Sequence, residues 1–136
     1  MRADDLVAAA RARYVRVEAN DVATALTDGA LVVDTRPIDQ RVADGEIPGA
    51  IVIARNVLEW RLDPSGAQRI PELRDDAQRV IVVCQEGHAS SLATASLLDL
   101  GLSGATDLVG GFAAWVAAGL PVVPAGECTD RTAPID

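Results

Sequence analysis

The stretch Val80-Ile81-Val82-Val83-Cys84-Gln85-Glu86-Gly87-His88-Ala89-Ser90 decides the fold, because it has the pattern of a buried strand, a tight loop and the start of a helix. Four consecutive apolar residues are typical of a strand that is covered on both faces, as in a parallel sheet. Backbone N–H groups of the loop, together with the positive end of a helix that starts near Ser90, form a cradle for an anion. The stretch therefore predicts a Cys84 thiol held in its nucleophilic thiolate form.

Apolar runs of strand length alternate with helix-period segments along the rest of the chain, which predicts an α/β fold with a mostly parallel sheet of about five strands and helices on both faces. The predicted strands are Tyr14–Val17, Leu31–Asp34, Ile51–Ile53, Val80–Val83 and about Ala105–Val109. The predicted helices are one capped by Asn20 and ended by Gly29, a short one at Val57–Arg61, one from near Ser90 to Gly101 with a buried stripe of Leu92, Ala95 and Leu98, and one at Phe112–Ala118.

Length and composition limit the possibilities further. The 136 residues predict a single domain with a core at about 14–122, an N-terminal helical extension at about 3–12 and a partly ordered tail at about 123–136. A net charge of −8 argues against nucleic acid or an anionic membrane surface as the partner. The start of the chain lacks the pattern of a leader and no apolar run spans a bilayer, so we expect a cytoplasmic protein. Two distant cysteines and one histidine predict neither a disulfide scaffold nor a metal site.

Four motifs in order along the chain resemble those of the rhodanese (sulfurtransferase) family. The resemblance covers about 14–122 and includes the catalytic loop Cys84–Ser90 of that family. The other three motifs are Val33-Asp34-Thr35-Arg36, Gly45-Glu46-Ile47-Pro48-Gly49-Ala50, and Leu108-Val109-Gly110-Gly111-Phe112 with Trp115 and Gly119-Leu120-Pro121.

The resemblance implies a rhodanese-like fold and a persulfide relay that needs no cofactor. In such a relay Cys84 takes a sulfane sulfur from a donor, either thiosulfate or a persulfide, and passes it to cyanide or a thiol; the partners are small molecules or a protein persulfide. The resemblance further implies that the substrate is bound, mainly through the backbone, by the loop residues Gln85, Glu86, Gly87, His88, Ala89 and Ser90.

The chain departs from the family pattern in two places. Many family members carry arginine where this loop has Ala89, so the loop has no cation and one acid, Glu86. That acid is expected to repel thiosulfate, which makes a persulfide the better donor. Arg41 and Glu46 stand where the family often has glutamate and histidine, so Arg36 is expected to pair with Asp39, Asp44 or Glu46 instead.

Each candidate residue also has a purely structural interpretation. Cys84 is a nucleophile or a buried structural thiol, and His88 is most simply an exposed loop side chain. Arg36 and Arg55 follow strands and either contact an anionic donor or form structural ion pairs. Asp34 is interpreted as fixing local hydrogen bonds at the end of a strand, and Phe112 and Trp115 as packing in the core. Cys128 either resolves a persulfide on Cys84 or is an idle thiol in the tail.

Two other functions remain to be weighed against sulfur transfer. A related Cdc25-type phosphatase needs an arginine six positions after the cysteine, and position 90 is serine. A catalytically silent rhodanese-like module that serves as a binding or regulatory surface commonly lacks the loop cysteine. Retention of Cys84 and Gly87 favours the enzyme.

Overall fold

The computed structural model describes residues 1–134, which form six α-helices and five strands. In chain order the elements are α1 (Ala3–Arg11), α2 (Ala19–Thr27), β1 (Leu31–Asp34), α3 (Ile38–Asp44), β2 (Ile51–Val52), a 3-10 turn (Arg55–Val57), α4 (Leu58–Arg61), β3 (Val80–Val83), α5 (Ala89–Asp99), β4 (Ala105–Asp107), α6 (Gly111–Ala117) and β5 (Thr129–Asp130). No helix in this part of the chain has the length and apolar composition needed to span a bilayer.

The five strands form one parallel sheet in the order β4-β3-β1-β2-β5. At its centre Val33 of β1 is paired with Ile51 of β2 on one side and with Val82 of β3 on the other. All carboxyl ends of the strands therefore lie at the same edge of the sheet, where open α/β proteins bind their ligands. The predicted α/β class, the mostly parallel sheet and the number of strands are confirmed.

Helices cover both faces of the sheet. Neighbouring residues of a strand point to opposite faces, so each face presents apolar side chains that a layer of helices buries. On one face, Val33 and Val82 pack in a buried cluster with residues of α4, α5 and the segment 62–73. On the other face, Val32 and Ile81 pack with residues of α2 and α6, including Phe112 and Trp115. The prediction that these two aromatic residues belong to the core is confirmed, since each is at most 2% exposed.

The predicted buried stripe of α5 is wrong in its main part: of Leu92, Ala95 and Leu98, Leu98 packs partly buried against the core and none is fully buried. Leu92 is exposed, and the helix buries a different set of side chains, Ser90, Ser91, Ala93, Thr94 and Leu97. The three hydroxyl groups tolerate burial because each has an acceptor, such as Asp107 for Ser90 and Ser91. Hydrophobic spacing alone selected the wrong face, since the inward face of this helix is largely polar.

The predicted strand Tyr14–Val17 is also wrong, and only an isolated parallel bridge between Val17 and Leu108 is present there. The Val15 carbonyl accepts from the Thr106 side-chain hydroxyl at 2.7 Å, and Val15 is 88% exposed. The helix that follows begins at Ala19 with Glu18 at its N-cap, so Asn20 lies inside the helix rather than capping it.

Over residues 123–134 the C-terminal segment is more ordered than predicted; positions 135 and 136 of the predicted tail lie outside the described residues. β5 lies beside β2, and the Arg131 N–H donates to the Val52 carbonyl at 2.7 Å. The Thr132 hydroxyl accepts the Ala54 N–H, and the Thr132 carbonyl accepts two hydrogen bonds from Arg61. This segment thus forms the outer edge of the sheet rather than a loose tail.

Candidate functional site

Cys84 follows β3 at the carboxyl edge of the sheet and lies at the floor of an open pocket. Its Sγ accepts hydrogen bonds from two backbone N–H groups, those of Gly87 at 3.1 Å and Ser90 at 3.2 Å. Only 7% of the residue is exposed, so little water competes for the sulfur. Two N–H dipoles aimed at one sulfur stabilise negative charge on it.

Glycine is required at position 87 for two reasons. Gly87 has a φ of +86°, a conformation that other residues adopt at a cost. A Cβ at this position would also lie 2.8 Å from the Gly110 nitrogen, in the turn that begins α6. The same turn fixes the loop from the other side, because the Phe112 N–H donates to the Cys84 carbonyl at 2.8 Å and the Ala113 N–H to the Gln85 carbonyl at 3.0 Å.

A buried carboxylate, Asp107, lies behind the loop and was not identified from the sequence. It is fully buried at the end of β4 and accepts hydrogen bonds from the Ser90 and Ser91 hydroxyls at 2.8 and 2.9 Å. Arg16 pairs with it at 2.8 Å. Burial lowers the pKa of Arg16, but the hydrogen bond and the charge of Asp107 outweigh this and raise it overall. The sequence placed Asp107 inside the predicted strand at about Ala105–Val109, whereas β4 ends at Asp107 and so brings this carboxylate to the carboxyl edge of the sheet.

The pocket above Cys84 has a volume of about 390 Å³. It brings together most of the predicted site residues, and its lining is Thr35, Arg36, Pro37, Gln40, Arg55, Cys84, Gln85, Glu86, His88 and Ala89. Gly87 and Ser90 are absent from this lining and instead hold the sulfur from below. Glu86 and His88 are exposed, as the structural interpretation of His88 predicted.

Arg36 does not pair with any of the three acids that the sequence suggested. It is 2% exposed and its guanidinium binds Asp34, with Nη2 at 2.8 Å from Oδ2. Two further guanidinium hydrogens reach the Gly45 carbonyl at 2.7 Å and Gln85 Oε1 at 3.2 Å, and the group stacks 3.8 Å from the centre of the Phe112 ring. Arg36 therefore links motifs that are distant in the sequence, and four of its five N–H groups are occupied.

The three acids offered as partners of Arg36 have other roles. Glu46 is buried and pairs with Arg41 at 2.9 Å, so the two departures from the family pattern compensate each other. Burial raises the pKa of Glu46, but Arg41 and the backbone N–H of Cys128 outweigh this and hold it below its usual value. Asp44 is exposed and accepts a hydrogen bond from the Gln85 amide at 2.9 Å, and Asp39 is exposed. Asp34, by contrast, binds the Arg36 backbone N–H at 3.0 Å, as well as its side chain.

Arg55 contributes an exposed cation to the wall of the pocket. Its guanidinium binds both carboxylate oxygens of Glu59, one turn further along the chain, at 2.9 and 3.0 Å. That carboxylate also accepts a hydrogen bond from Ser96. Much of the positive charge that Arg55 brings to the pocket is therefore neutralised, and the charge of Glu86 is not opposed by a free cation in the lining.

Cys128 lies far from Cys84. It precedes β5, and β5 is separated from β3 by three strand spacings, roughly 14 Å. Its thiol donates to the Ile47 carbonyl at 3.1 Å. Burial and the charge of Glu46 raise the pKa of this thiol to about 11, so it is neutral and held in place. This placement argues against a resolving role toward Cys84.

Comparison with known proteins agrees with this architecture. Thiosulfate sulfurtransferase 16 of Arabidopsis thaliana, a chloroplastic protein, is 30% identical over 75% of this chain and 91% of its own length. Among solved structures, a protein of unknown function and possible tyrosine phosphatase from Rhodopseudomonas palustris has a TM-score of 0.81 at 26% identity, covering 90% of this chain and 94% of its own. The polysulfide-sulfur transferase homodimer of Wolinella succinogenes has a TM-score of 0.70 at 26% identity, covering 89% and 86%. Because the model of the rhodanese-like domain matches residues 18–118, this chain belongs to the rhodanese-like domain family.

Proposed function

We propose that this protein is a sulfurtransferase that carries a sulfane sulfur on Cys84. The observation that carries the proposal is the pair of N–H hydrogen bonds to Cys84 Sγ at the floor of a pocket large enough for a donor. The relatives named as sulfurtransferases support the reaction class.

The relay has two displacements at sulfur and no net oxidation. First, the Cys84 thiolate attacks the outer sulfur of the donor, a new S–S bond forms, and the old S–S bond breaks with its electron pair leaving on the rest of the donor, which is sulfite or a thiolate. Second, cyanide or a thiolate attacks the outer sulfur of the Cys84 persulfide, and the electron pair of the broken S–S bond restores the Cys84 thiolate. The acceptor leaves as thiocyanate or as a new persulfide.

The charges at the pocket favour a persulfide over thiosulfate as donor. Thiosulfate carries two negative charges, while the pocket offers the acid Glu86 and a cation, Arg55, that Glu59 already binds. Arg36 can offer an anion at most one N–H, the second hydrogen of Nη1, because its other four hydrogens reach Asp34, Gly45 and Gln85, and Asp34 neutralises its charge. A low-molecular-weight persulfide needs no such cation, because the loop N–H groups suffice for its single outer sulfur.

Phosphate-ester hydrolysis is the competing activity, because the similar protein from Rhodopseudomonas palustris is a possible tyrosine phosphatase. Position 90, where a phosphatase of the Cdc25 type needs arginine, holds Ser90, whose hydroxyl donates to Asp107 behind the loop. The loop thus presents backbone N–H groups but no guanidinium to a phosphate. We expect no hydrolysis of an aryl phosphate by this protein.

The test is the intact mass of the reduced protein after brief exposure to thiosulfate or, separately, to a low-molecular-weight persulfide. We expect the wild type and Cys128→Ser to gain one sulfur atom that cyanide removes, with faster gain from the persulfide. Cys84→Ser, the matched variant at the other cysteine, should gain none. If neither donor adds sulfur to the wild type, the proposal is wrong and the silent binding module takes its place.

A further inference from the structure

Two arginines from the N-terminal segment hold the catalytic loop from behind. Arg11, the last residue of α1, donates from Nη2 to the Gly87 carbonyl at 2.7 Å and from Nε to the Ser91 hydroxyl at 2.9 Å. Arg16 donates from Nη2 to the same carbonyl at 3.0 Å. Both residues precede position 18, where the match to the rhodanese-like domain begins. A single loop carbonyl therefore accepts hydrogen bonds from two guanidinium groups outside the matched span.

The charges behind the loop do not cancel. Asp107 neutralises Arg16, since the two are joined by hydrogen bonds from Nε and Nη2. Arg11 is partly buried and forms no ion pair with any carboxylate within residues 1–134. The group of Arg11, Arg16 and Asp107 thus has a net charge of about +1. The loop itself has no cation. The net positive charge of this group is therefore the positive charge that can stabilise an anion on Cys84.

The same contacts orient the backbone that surrounds the sulfur. In a trans peptide the C=O and N–H point in opposite directions, so anchoring the Gly87 carbonyl on the arginines turns the His88 N–H away from them. The His88 N–H has no hydrogen-bond partner in the described part of the chain and is free to bind an atom attached to Cys84. Arg16 also acts on the sulfur indirectly, through Asp107 and Ser90. Arg16 pairs with Asp107, Asp107 accepts a hydrogen bond from the Ser90 hydroxyl, and the Ser90 N–H donates to Cys84 Sγ.

We propose, on the basis of the sulfur-transfer function above, that Arg11 and Arg16 are positioning residues that replace a cation in the loop. They hold the Gly87 carbonyl so that the loop N–H groups converge on the sulfur, and their net positive charge stabilises the anionic outer sulfur of the Cys84 persulfide. Neither residue lines the pocket, so neither contacts the donor directly. The N-terminal extension is therefore part of the active site.

The experiment compares Arg11→Gln with Arg13→Gln in sulfur loading from a low-molecular-weight persulfide. Arg13 is the matched control, since it comes from the same segment but binds the Ala95 carbonyl and Asp99 further along α5. We expect Arg11→Gln to lower the loading rate constant at saturating donor by ~10-fold or more with little change in the half-saturating donor concentration, because the lost group acts through loop donors. Arg11→Lys should recover most of the rate, since it keeps the charge and one donor. Arg13→Gln should load at the wild-type rate.

Arg16 is tested together with its partner, because Arg16→Gln alone leaves Asp107 buried without a counter-charge. The double variant Arg16→Gln/Asp107→Asn keeps an oxygen acceptor for Ser90 and should also load sulfur more slowly than the wild type. If both Arg11→Gln and the double variant load sulfur at the wild-type rate, the positioning role is wrong while sulfur transfer stands. If the lysine variant is as slow as the glutamine variant, the charge has no role. If the wild type gains no sulfur at all, both proposals fail.

Discussion

At the scale of single residues, the geometry under Cys84 depends on a glycine that no other residue replaces without strain. Gly87 supplies one of the two N–H groups on Sγ while its own backbone touches the turn that begins α6. Gly87→Ala adds a Cβ 2.8 Å from the Gly110 nitrogen, and the positive φ adds a second cost. We expect a loss of about 2–4 kcal/mol in the free energy of unfolding and loss of sulfur loading, since the loop must move.

Gly29→Ala is the control for the conformational cost alone. Gly29 also has a positive φ, +91°, but an added Cβ there meets nothing within 4 Å. This variant should lose only about 1 kcal/mol in urea denaturation and should load sulfur normally. Normal loading by Gly87→Ala would contradict the requirement for the close approach of loop and turn.

At the scale of elements, β5 and the segment before it protect the second thiol. Cys128 donates to the Ile47 carbonyl, and its pKa is raised from 9.0 to about 11 by burial and by the charge of Glu46. In Cys84→Ser, where Cys128 is the remaining thiol, we expect alkylation by iodoacetamide below pH 9 to be ~100-fold slower in the folded than in the unfolded protein. The difference should shrink as the pH rises from 9 toward 11.

The same shift gives a stability term of known sign. A pKa raised by folding means that the folded state retains the proton more tightly, so the contribution is complete below pH 9 and is lost as the pH rises toward 11. Alkylation kinetics followed by mass spectrometry measure the reactivity directly. Equal rates in the folded and unfolded protein near neutral pH would mean that the segment before β5 does not stay on the sheet.

At the scale of the whole molecule, the sequence predicted what depends on local pattern and missed what depends on distant partners. The apolar runs located β1 and β3, and the cysteine with its glycine located the loop. The sequence analysis did not identify Asp34 as the partner of Arg36. Comparison with the family pattern suggested acids further along the chain, whereas Asp34 lies two residues before Arg36. Arg11 and Arg16 carry no local signal, since their contacts with Gly87 span 76 and 71 positions. β5 was missed because two exposed polar residues have no strand pattern.

The distribution of ion pairs over the molecule predicts how stability depends on pH. Glu46, Glu59 and Glu72 all have a pKa below the usual 4.5, even though burial opposes the shift in each. For Glu72 the main cause is the hydrogen bond from Arg131, which fastens the segment after β5 to the rest of the chain. A carboxylate whose pKa is lowered by folding stabilises the protein above its unfolded pKa, and this contribution is lost as the pH falls through the folded value.

We therefore expect Tm to be level near neutral pH and to fall once the pH drops below about 4.5. The loss of negative charge from a protein with a net charge of −8 acts in the opposite direction, because self-repulsion weakens as carboxylates are protonated. Calorimetry at about 0.15 M salt separates the two effects, since salt screens long-range repulsion more than close pairs. Glu72→Gln/Arg131→Gln, which removes one pair without leaving a lone charge, should show a smaller fall than the wild type. A Tm that stays level or rises on acidification would mean that repulsion, rather than these pairs, governs the stability of the fold.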